Sequence, residues 1–136
     1  MTVLSLTPTQ QSAVDDLVRA AKIDRVVVDE ARAYAFLNKA RIKIADITNA
    51  QHPENRFDLG YGACHDVGEA LLAAYGYRTH TGAGQHVAIG IFFTAVVDAP
   101  PGDVAARRYE RLRRIRNNQD YRARPVTIAE AELAAE

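Results

Sequence analysis

The chain has 136 residues, 48% of them hydrophobic and 25% charged, so it is long enough to bury one core and too apolar to be globally disordered. Its 17 basic and 17 acidic side chains cancel, which excludes nucleic-acid or membrane binding driven by net charge and leaves only local charge to drive it. The single cysteine, Cys64, excludes an internal disulfide and a CxxC-type metal site.

The spacing of apolar residues predicts two helices in the first part of the chain. Thr7 as N-cap and Pro8 at the first helical position suit the start of a helix over residues 9–23. A second helix is predicted over residues 24–48, where apolar residues recur at steps of three and four and indicate a long buried stripe. The stripe consists of Val27, Ala31, Tyr34, Leu37, Ala40, Ile44 and Ile47. Residues 49–55, with a proline among them, are predicted to form a loop.

The third predicted helix, over residues 56–74, combines an apolar face with several glycines. The apolar face consists of Phe57, Tyr61, Cys64, Val67, Leu71 and Leu72. The glycines are Gly60, Gly62 and Gly68. Each costs up to about 1 kcal/mol relative to alanine inside a helix, so we expect them to mark close contacts between helices. Gly76 is expected to cap the helix, and residues 77–84 to form a turn-rich connection.

The fourth predicted helix, over residues 85–97, is apolar on nearly every side, so we expect it to be central. The sequence Asp-Ala-Pro-Pro-Gly at 98–102 ends it. Asp103 is then predicted to be the N-cap of a fifth helix that ends at residue 121 or 122, before Pro125.

The predicted fold class is all-α. Thr127, with Glu130 three residues later, forms a capping box before a last short helix. Strand signals are weak, because the β-branched runs at 26–28 and 87–97 are not bounded by hairpin turns. We expect an antiparallel up-and-down bundle of four main helices with short extra terminal helices, forming one domain over residues 1–136.

Signals for export and for membrane insertion are both missing from this sequence. No apolar run reaches the length of about 18 residues that a membrane span requires. The opening MTVLSLTPTQ lacks the basic region and long apolar core of a signal peptide. We therefore expect a cytoplasmic protein without membrane contacts.

Positive charge is concentrated in residues 107–124. The eight arginines of this segment oppose only Glu110 and Asp120, so it carries a formal charge of +6 and the remainder of the chain −6. The arginines are Arg107, Arg108, Arg111, Arg113, Arg114, Arg116, Arg122 and Arg124. Arginine suits bidentate recognition of phosphate better than lysine does. Tyr109 and Tyr121 add aromatic surfaces to the segment.

Two interpretations of this arginine segment remain open. In one, it is a phosphate-binding face and therefore takes RNA, DNA or a nucleotide. In the other, it is a solvated helix surface that is salt-bridged to acidic residues elsewhere, such as Asp15, Asp16, Asp66 and Glu69. Helical spacing spreads the arginines over more than one side, so some of them must pack against other helices or a second subunit.

The string RLRRIRNNQDY, from Arg111 to Tyr121, resembles the signature helix of HEPN domains, which are small helical bundles of prokaryotic toxin–antitoxin and defence systems. The stretch GYGACHDVGEALLAAYGYRTHTGAGQH, from Gly60 to His86, is also similar to that family. There an alanine-rich helix ends in a Gly-x-Arg turn, and a Gly-x-His or Gly-His sequence starts the next helix. The resemblance covers about residues 31–124.

The catalytic motif of the ribonuclease members is Arg, usually a polar residue, three more residues and then His. Arg116 and Asn117 fit the first two places, but Tyr121 occupies the histidine place. A tyrosine, with a pKa near 10, is a poor general base at neutral pH, although Tyr121 can still hydrogen-bond a phosphate. The resemblance implies Arg116, Asn117 and Tyr121 as the catalytic positions. Nucleic-acid contacts are expected from Arg107, Arg111, Arg113, Arg114 and Arg122.

The resemblance also implies partners. In family dimers the two motif helices commonly meet across a two-fold axis, which here would bring +12 of formal charge to one interface and would require an anion or acidic partners there. We expect a homodimer that binds RNA or a nucleotide in a toxin–antitoxin or defence module, with a nucleotidyltransferase-type antitoxin as partner and no cofactor. The alternatives are an active metal-independent ribonuclease toxin and a non-catalytic protein-interaction module.

The four histidines are weighed separately as metal ligands and as bases. His52 and His80 are expected in exposed loops, His65 on the third helix and His86 at the start of the fourth. Their spacings of 13, 15 and 6 residues fit no metal-binding pattern, so no metal is expected. No histidine follows His86 in the chain, but His65 or His86 could approach the arginine helix in space and replace the missing base.

Overall fold

The computed structural model describes residues 5–80, 84–122 and 125–136, without the side chains of residues 119–122. Its helices are α1 (Pro8–Arg19), α2 (Glu30–Ile47), α3 (Pro53–Tyr75), α4 (Gln85–Val96), α5 (Gly102–Arg122) and α6 (Ile128–Ala135). Two short strands, β1 (Ile23–Arg25) and β2 (Tyr77–Thr79), form an antiparallel pair with Ile23 opposite Thr79. The described part of the chain is thus mostly helical, as expected, with a small sheet that was not predicted.

Local capping chemistry starts the first and last helices where they were predicted to start, although α1 ends at Arg19 and not at residue 23. The Thr7 hydroxyl accepts a hydrogen bond from the Gln10 N–H at 3.2 Å, and the Gln10 side chain accepts one from the Thr7 N–H at 2.9 Å. Thr127 and Glu130 make the same reciprocal pair at the start of α6. The fifth helix differs slightly, because Asp103 lies in its first turn instead of preceding it.

The second helix begins later than predicted. The chain is extended from β1 to Asp29, whose side chain accepts a hydrogen bond from the Arg32 N–H at 2.9 Å and caps α2. The three valines before Asp29 are β-branched, which favours extended backbone, whereas aspartate is a strong N-cap. Val27 is consequently 88% exposed and does not belong to a buried stripe.

The buried face of α2 matches the predicted stripe only in part. Ala40 and Ile47 are buried, as predicted, together with Ala33, whereas Tyr34 and Ile44 of the stripe are 70% and 55% exposed. The pairing of α2 with α3 is the most extensive helix contact of the described chain. The small alanine side chains let the two helices pack closely, which larger residues at the contact would prevent. Apolar spacing was therefore insufficient to identify the packed side of this helix.

The strand β2 lies in the stretch that was predicted as turns. Gly76 ends α3 in the left-handed region at φ 88°, as predicted for a C-cap. The next three residues pair with β1, which precedes α2, so the small sheet joins the two outer ends of the α2–α3 pair. Such a pairing between distant segments carries no hairpin turn that a sequence pattern could reveal.

The third helix is central, since it contacts α2, α4, α5, α6 and β2. It starts earlier than predicted because Pro53 suits the first helical turn and does not belong to a loop. Two of its glycines mark close helix contacts, as expected. A Cβ on Gly60 would overlap the backbone of α6, and one on Gly68 would overlap Ile89 of α4.

The fourth helix is buried, as its composition predicted. Ile89 and Phe92 are completely inaccessible, and α4 contacts α1, α3, α5 and β2. The largest fully buried side chains form one core and are Val14, Ile23, Phe57, Leu72, Ile89, Phe92, Tyr109 and Leu112. Within the described ranges, no helix has both the length and the apolar character needed to cross a lipid bilayer.

A Gly68→Ala substitution is expected to destabilise the fold by about 1–3 kcal/mol, because the added methyl group overfills the α3–α4 contact at Ile89 and Phe93. The matched control is Gly62→Ala on the same helix, where the new Cβ would lie 3.4 Å from the flexible Lys43 side chain. That control should be neutral or more stable by up to about 1 kcal/mol, since alanine is the better helix former. Urea denaturation measures both, and equal effects would contradict the close contact.

Candidate functional site

Several arginines of α5 are held by carboxylates of the same helix. Arg113 donates two hydrogen bonds to Glu110, at 3.0 and 2.7 Å, and Arg114 donates a longer one of 3.4 Å. The bonds from Arg113 hold the pKa of Glu110 below its usual value. Arg107 donates to Asp103 at 3.1 Å. Three arginines of the segment are therefore paired within α5, but Glu110 is already counted in its charge of +6, so Asp103 lowers that charge only to +5.

The acidic residues that the salt-bridge interpretation named pair with cations outside α5. The pairs are Asp15 with Arg25, Asp16 with Arg19, Asp66 with Lys43, and Glu69 with Arg32. The interpretation is correct that α5 is salt-bridged, and Arg108 pairs with an acidic residue outside the helix, Glu136, at 3.4 Å. It is wrong about the four carboxylates named, because carboxylates three or four residues away are already in reach of the other arginines. Arg111 is exposed and makes no ion pair with any described residue.

Arg116 is the arginine that turns into the fold. Its Nη1 atom lies 3.1 Å from Nε2 of His86, at the start of α4. Its Cζ atom lies 5.3 Å from the centre of the Tyr61 ring, a distance at which a cation is attracted to an aromatic face. Of the two histidines that were expected to approach the arginine helix, His86 makes this hydrogen bond.

The hydrogen bonds around His86 define its tautomer. A guanidinium can only donate, so Nε2 accepts from Arg116 and the neutral ring carries its proton on Nδ1. Nδ1 donates to the Tyr61 hydroxyl at 2.8 Å, and that hydroxyl lies 3.5 Å from the Tyr109 hydroxyl. Burial raises the pKa of Tyr61 and the pKa of Tyr109, so both phenols stay protonated. The two tyrosines therefore fix the imidazole with its Nε2 lone pair toward Arg116.

Aromatic stacking holds the same cluster from the side of α3. Tyr61 and His65 are one helical turn apart, and the His65 ring stacks on the His86 ring with centres 4.5 Å apart. Tyr61 stacks between His86 and Tyr109, with centres 5.4 Å from each. The cluster thus rests on three packed helices, which leaves its members little rotational freedom.

This cluster borders a cavity of about 180 Å³. The cavity is lined by Lys43, Asp58, Tyr61, Gly62, His65, Asp66, His86 and Arg116. Lys43 binds Asp66, so its charge is already partly compensated, while Asp58 is exposed. A guanidinium, an amine and two imidazoles consequently face one small space, which suits a bound anion with several oxygen atoms.

The structure does not bring all predicted site residues to this cavity. Asn117 is exposed and does not line it. The side chains of Tyr121 and Arg122 lie outside the described parts, as does Arg124 entirely. Tyr109, predicted as an aromatic surface for ligands, is 1% exposed and belongs to the core, because it packs against Phe93 and Tyr61.

Two residues of the site were missed by the sequence reasoning. Lys43 was not singled out, and Tyr61 was assigned to the bundle core or its edge. A usable signal existed on α3, where Tyr61 and His65 stand four residues apart and so share one side of a helix. No pattern in the sequence connects that side to His86 or Arg116, which are distant along the chain.

Acidification is expected to destabilise the protein partly through His65. Burial lowers the pKa of His65 in the folded state, against the opposing effect of Glu69 and Asp66. As the pH falls below the ordinary histidine value of about 6.5, the unfolded chain therefore binds this proton more readily, and the free energy of unfolding decreases. Melting temperatures from pH 8 to 5 should fall less for His65→Gln than for wild type. His52→Gln, at an exposed position, is the control, and a curve for His65→Gln parallel to wild type would contradict the assignment.

Among the described residues, no group of three or more histidine, cysteine, aspartate or glutamate side chains could hold a metal ion. The groups that face the cavity suit hydrogen bonding and proton transfer.

No family model, no curated protein and no solved structure matches this chain.

Proposed function

We propose that this chain is an HEPN-like RNA-binding domain that holds a backbone phosphate at Arg116, beside His86. The observation that carries the proposal is the guanidinium of Arg116, stacked on Tyr61 and placed 3.1 Å from the His86 ring at the border of a cavity. A guanidinium held on an aromatic ring keeps donors for two phosphate oxygens without losing much side-chain entropy on binding.

The surroundings of Arg116 support a polymer as ligand more than an isolated anion. Exposed Arg107, Arg111 and Arg114 lie about 180° around α5 from Arg116 and form a second basic side of the helix, which only a ligand longer than one phosphate could also reach. Asp58 and Asp66 also border the cavity, so the anion is expected to bind on its Arg116 side. RNA places phosphates at regular intervals, which lets one occupy the cavity while its neighbours meet the exposed arginines.

Binding is tested with a labelled single-stranded RNA in a gel shift at increasing salt. We expect the protein to retain the RNA at low salt, and the logarithm of the binding constant should fall linearly with the logarithm of the salt concentration. DNA of the same sequence is the comparison ligand, because it lacks the 2′-hydroxyl. Absence of RNA retention at low salt would overturn the proposal and leave the interaction module.

A second function, metal-independent cleavage of RNA, is favoured by the tautomer of His86. The Nε2 atom has the lone pair that a general base needs, and it lies beside the cavity. In the free protein this lone pair accepts a hydrogen bond from Arg116. A phosphate is a stronger hydrogen-bond acceptor for a guanidinium than an imidazole is. Bound RNA would therefore accept the hydrogen bond from Arg116 and leave the lone pair of Nε2 available.

The proposed cleavage then follows a balanced path. Nε2 of His86 takes the proton of a 2′-hydroxyl, the 2′-oxygen forms a bond to the adjacent phosphorus, and the bond from phosphorus to the 5′-oxygen breaks. The leaving 5′-oxygen takes a proton from water, and the imidazolium returns its proton to solvent. Arg116 stabilises the negative charge that develops on the phosphoryl oxygens. The products are a 2′,3′-cyclic phosphate and a 5′-hydroxyl.

Cleavage is tested with the wild-type protein and RNA in the presence of EDTA. The expected products carry a 2′,3′-cyclic phosphate, and a single 2′-deoxy substitution before the cleaved bond should prevent the reaction. Salt-dependent binding without any cleavage would leave the first function and exclude the second.

The wider architecture belongs to the same proposal. We propose that the four main helices form an antiparallel up-and-down bundle and that two copies meet through their α5 helices. The protein would then act in a cytoplasmic toxin–antitoxin or defence module with a nucleotidyltransferase-type partner. Sedimentation of the purified chain tests the dimer directly, and a monomer at micromolar concentration would contradict it.

A further inference from the structure

A second and larger cavity adjoins the first. It has a volume of about 570 Å³, which is within the range of small-molecule sites. His65 lines both cavities. Apart from His65, the principal groups of the second cavity are Arg32, Phe36, Glu69, Arg78, Thr79 and Gln85. The proposed cleavage and phosphate binding use none of these six groups.

The unusual group of this cavity is Glu69. Its side chain is 5% exposed, and a buried carboxylate is costly unless its oxygens are hydrogen-bonded. Oε1 accepts a hydrogen bond from the Thr79 hydroxyl at 2.9 Å. Oε2 has no hydrogen-bond partner, and its nearest described cation is Arg32, with Nη2 at 3.9 Å. One oxygen of the buried carboxylate therefore lacks the donor that such a group normally has.

We propose that this cavity binds a guanine base of the RNA whose phosphate lies at Arg116, so the inference rests on the proposed function. Guanine presents two adjacent N–H donors on its Watson–Crick edge, which a carboxylate can accept with both oxygens. Oε1 retains a second lone pair beside the bond from Thr79, and Oε2 is unpartnered. Adenine and cytosine offer only one exocyclic amino group there, and uracil a single ring N–H.

The remaining walls of the cavity fit a nucleotide. Phe36 supplies an aromatic ring against which Arg32 and Lys39 lie in the free protein, 5.0 and 5.1 Å from its centre. A base could stack on this ring by replacing one of these cations. Arg32 is 46% exposed and stays beyond hydrogen-bond distance of Oε2, so it could then contact a phosphate. Arg78 is exposed on the same cavity, where His80 is hydrogen-bonded to Asp24 at 2.8 Å.

A continuous set of contacts joins the base site to the phosphate site. Nε2 of His65 lies 3.9 Å from Oε1 of Glu69, and the His65 ring stacks on His86, which is bonded to Arg116. Among the described residues, the Nδ1 atom of His65 is buried without a hydrogen-bond partner as well, so the residue shared by the two cavities has a second unsatisfied polar atom.

The test compares the 3′,5′-bisphosphates of guanosine, inosine and adenosine. Each carries a phosphate on both sides of the nucleoside, so it can place one at Arg116 whichever way the RNA chain runs. Titration calorimetry should show guanosine binding roughly tenfold or more tightly than adenosine, with inosine between them because it lacks the 2-amino donor. Glu69→Gln keeps the shape and the acceptor for Thr79 but places an amide donor opposite the base, so the preference should disappear. Glu54→Gln, the same change at an exposed position of α3 that does not line the cavity, should leave the preference intact.

The outcomes separate this inference from the proposed function. Equal binding of all three bisphosphates, or a preference that survives Glu69→Gln, would overturn the guanine site while RNA binding at Arg116 stands. Loss of binding for every bisphosphate together with loss of RNA retention would instead overturn the proposed function. The three-ligand comparison on wild type needs no variant, so it decides the inference even if Glu69→Gln does not fold.

Discussion

Replacing Arg116 with alanine is expected to lower RNA affinity by about tenfold to a hundredfold and any cleavage by about 10²–10³-fold. The guanidinium borders the first cavity beside His86, and the second cation there, Lys43, is bound to Asp66. Alanine removes both the donors for phosphate and the stacking on Tyr61. Gel shifts at several salt concentrations measure the affinity. The slope of the logarithm of the binding constant against the logarithm of the salt concentration should decrease by about one, which corresponds to one released counterion.

Arg111→Ala is the matched control for Arg116→Ala. It makes the same change of charge on the same helix, at an exposed position without an ion pair to any described residue. Its expected effect is a small loss of affinity that salt abolishes, with no change in cleavage rate. Equal losses from the two substitutions would mean that RNA binds diffusely to α5, and the cavity would then have no special role.

Arg116→Lys separates charge from geometry at the same position. Lysine keeps the positive charge but cannot present two parallel donors to one phosphate. Partial recovery of binding with little recovery of cleavage is expected. Far-ultraviolet circular dichroism and thermal melting of each variant establish that the half-buried position tolerates the change, since loss of the stacked side chain also removes packing.

Local sequence signals were sufficient for the elements whose ends are determined by neighbouring residues. Capping boxes at Thr7 and Thr127, and the left-handed Gly76, placed three helix ends correctly because each depends on residues within one turn. The start of α2 was misplaced because apolar residues at steps of three and four continued to Val27, ahead of Asp29. There the capping aspartate was the more informative residue.

The packed side of α2 shows where spacing alone fails. The predicted stripe included Tyr34 and Ile44, which are large and apolar yet exposed. Ala40 and Ile47 of the stripe are buried, and Ala33 joins them from outside it, because closeness to α3 and not side-chain area determines which residues are buried. Which residues of α2 are buried depends on how α3 packs against it, and the apolar pattern of α2 alone carries no information about α3.

The candidate site could be predicted only in part. The sequence identified Arg116 through a resemblance and named His86 as one of two possible replacements for the missing base. It did not connect either residue to Tyr61, since that contact joins three helices through the tertiary fold. The compensation of Arg107, Arg113 and Arg114 within α5 also reduces the charge that the bare count of arginines suggested.

These contacts assign different tasks to the members of the cluster. Tyr61 and Tyr109 are buried phenols whose hydroxyls orient His86 from its Nδ1 side. Arg116 occupies the Nε2 side until an anion arrives. In the proposed cleavage, the phosphate that draws Arg116 away would leave Nε2 of His86 available as the base, so phosphate binding and proton transfer would be coupled.

His86→Gln is the substitution that distinguishes cleavage from binding. Glutamine can accept a hydrogen bond from Arg116 but cannot take a proton from a 2′-hydroxyl. Cleavage is expected to fall by about 10²–10⁴-fold, the usual contribution of a general base, while RNA affinity changes by less than about 0.5 kcal/mol. His52→Gln is the matched control, because His52 is exposed and makes no capping hydrogen bond at the start of α3.

Rates of 2′,3′-cyclic phosphate formation in EDTA measure the effect, with gel shifts on the same preparations. Loss of cleavage with binding intact assigns proton transfer to His86 and explains how the fold works without a histidine at Tyr121. If His86→Gln cleaves as fast as wild type, another group must remove the 2′-hydroxyl proton, and the hydrogen bond to Arg116 is then only structural. Equal loss of binding and cleavage would show instead that His86 positions Arg116, since the guanidinium would no longer be held at the cavity.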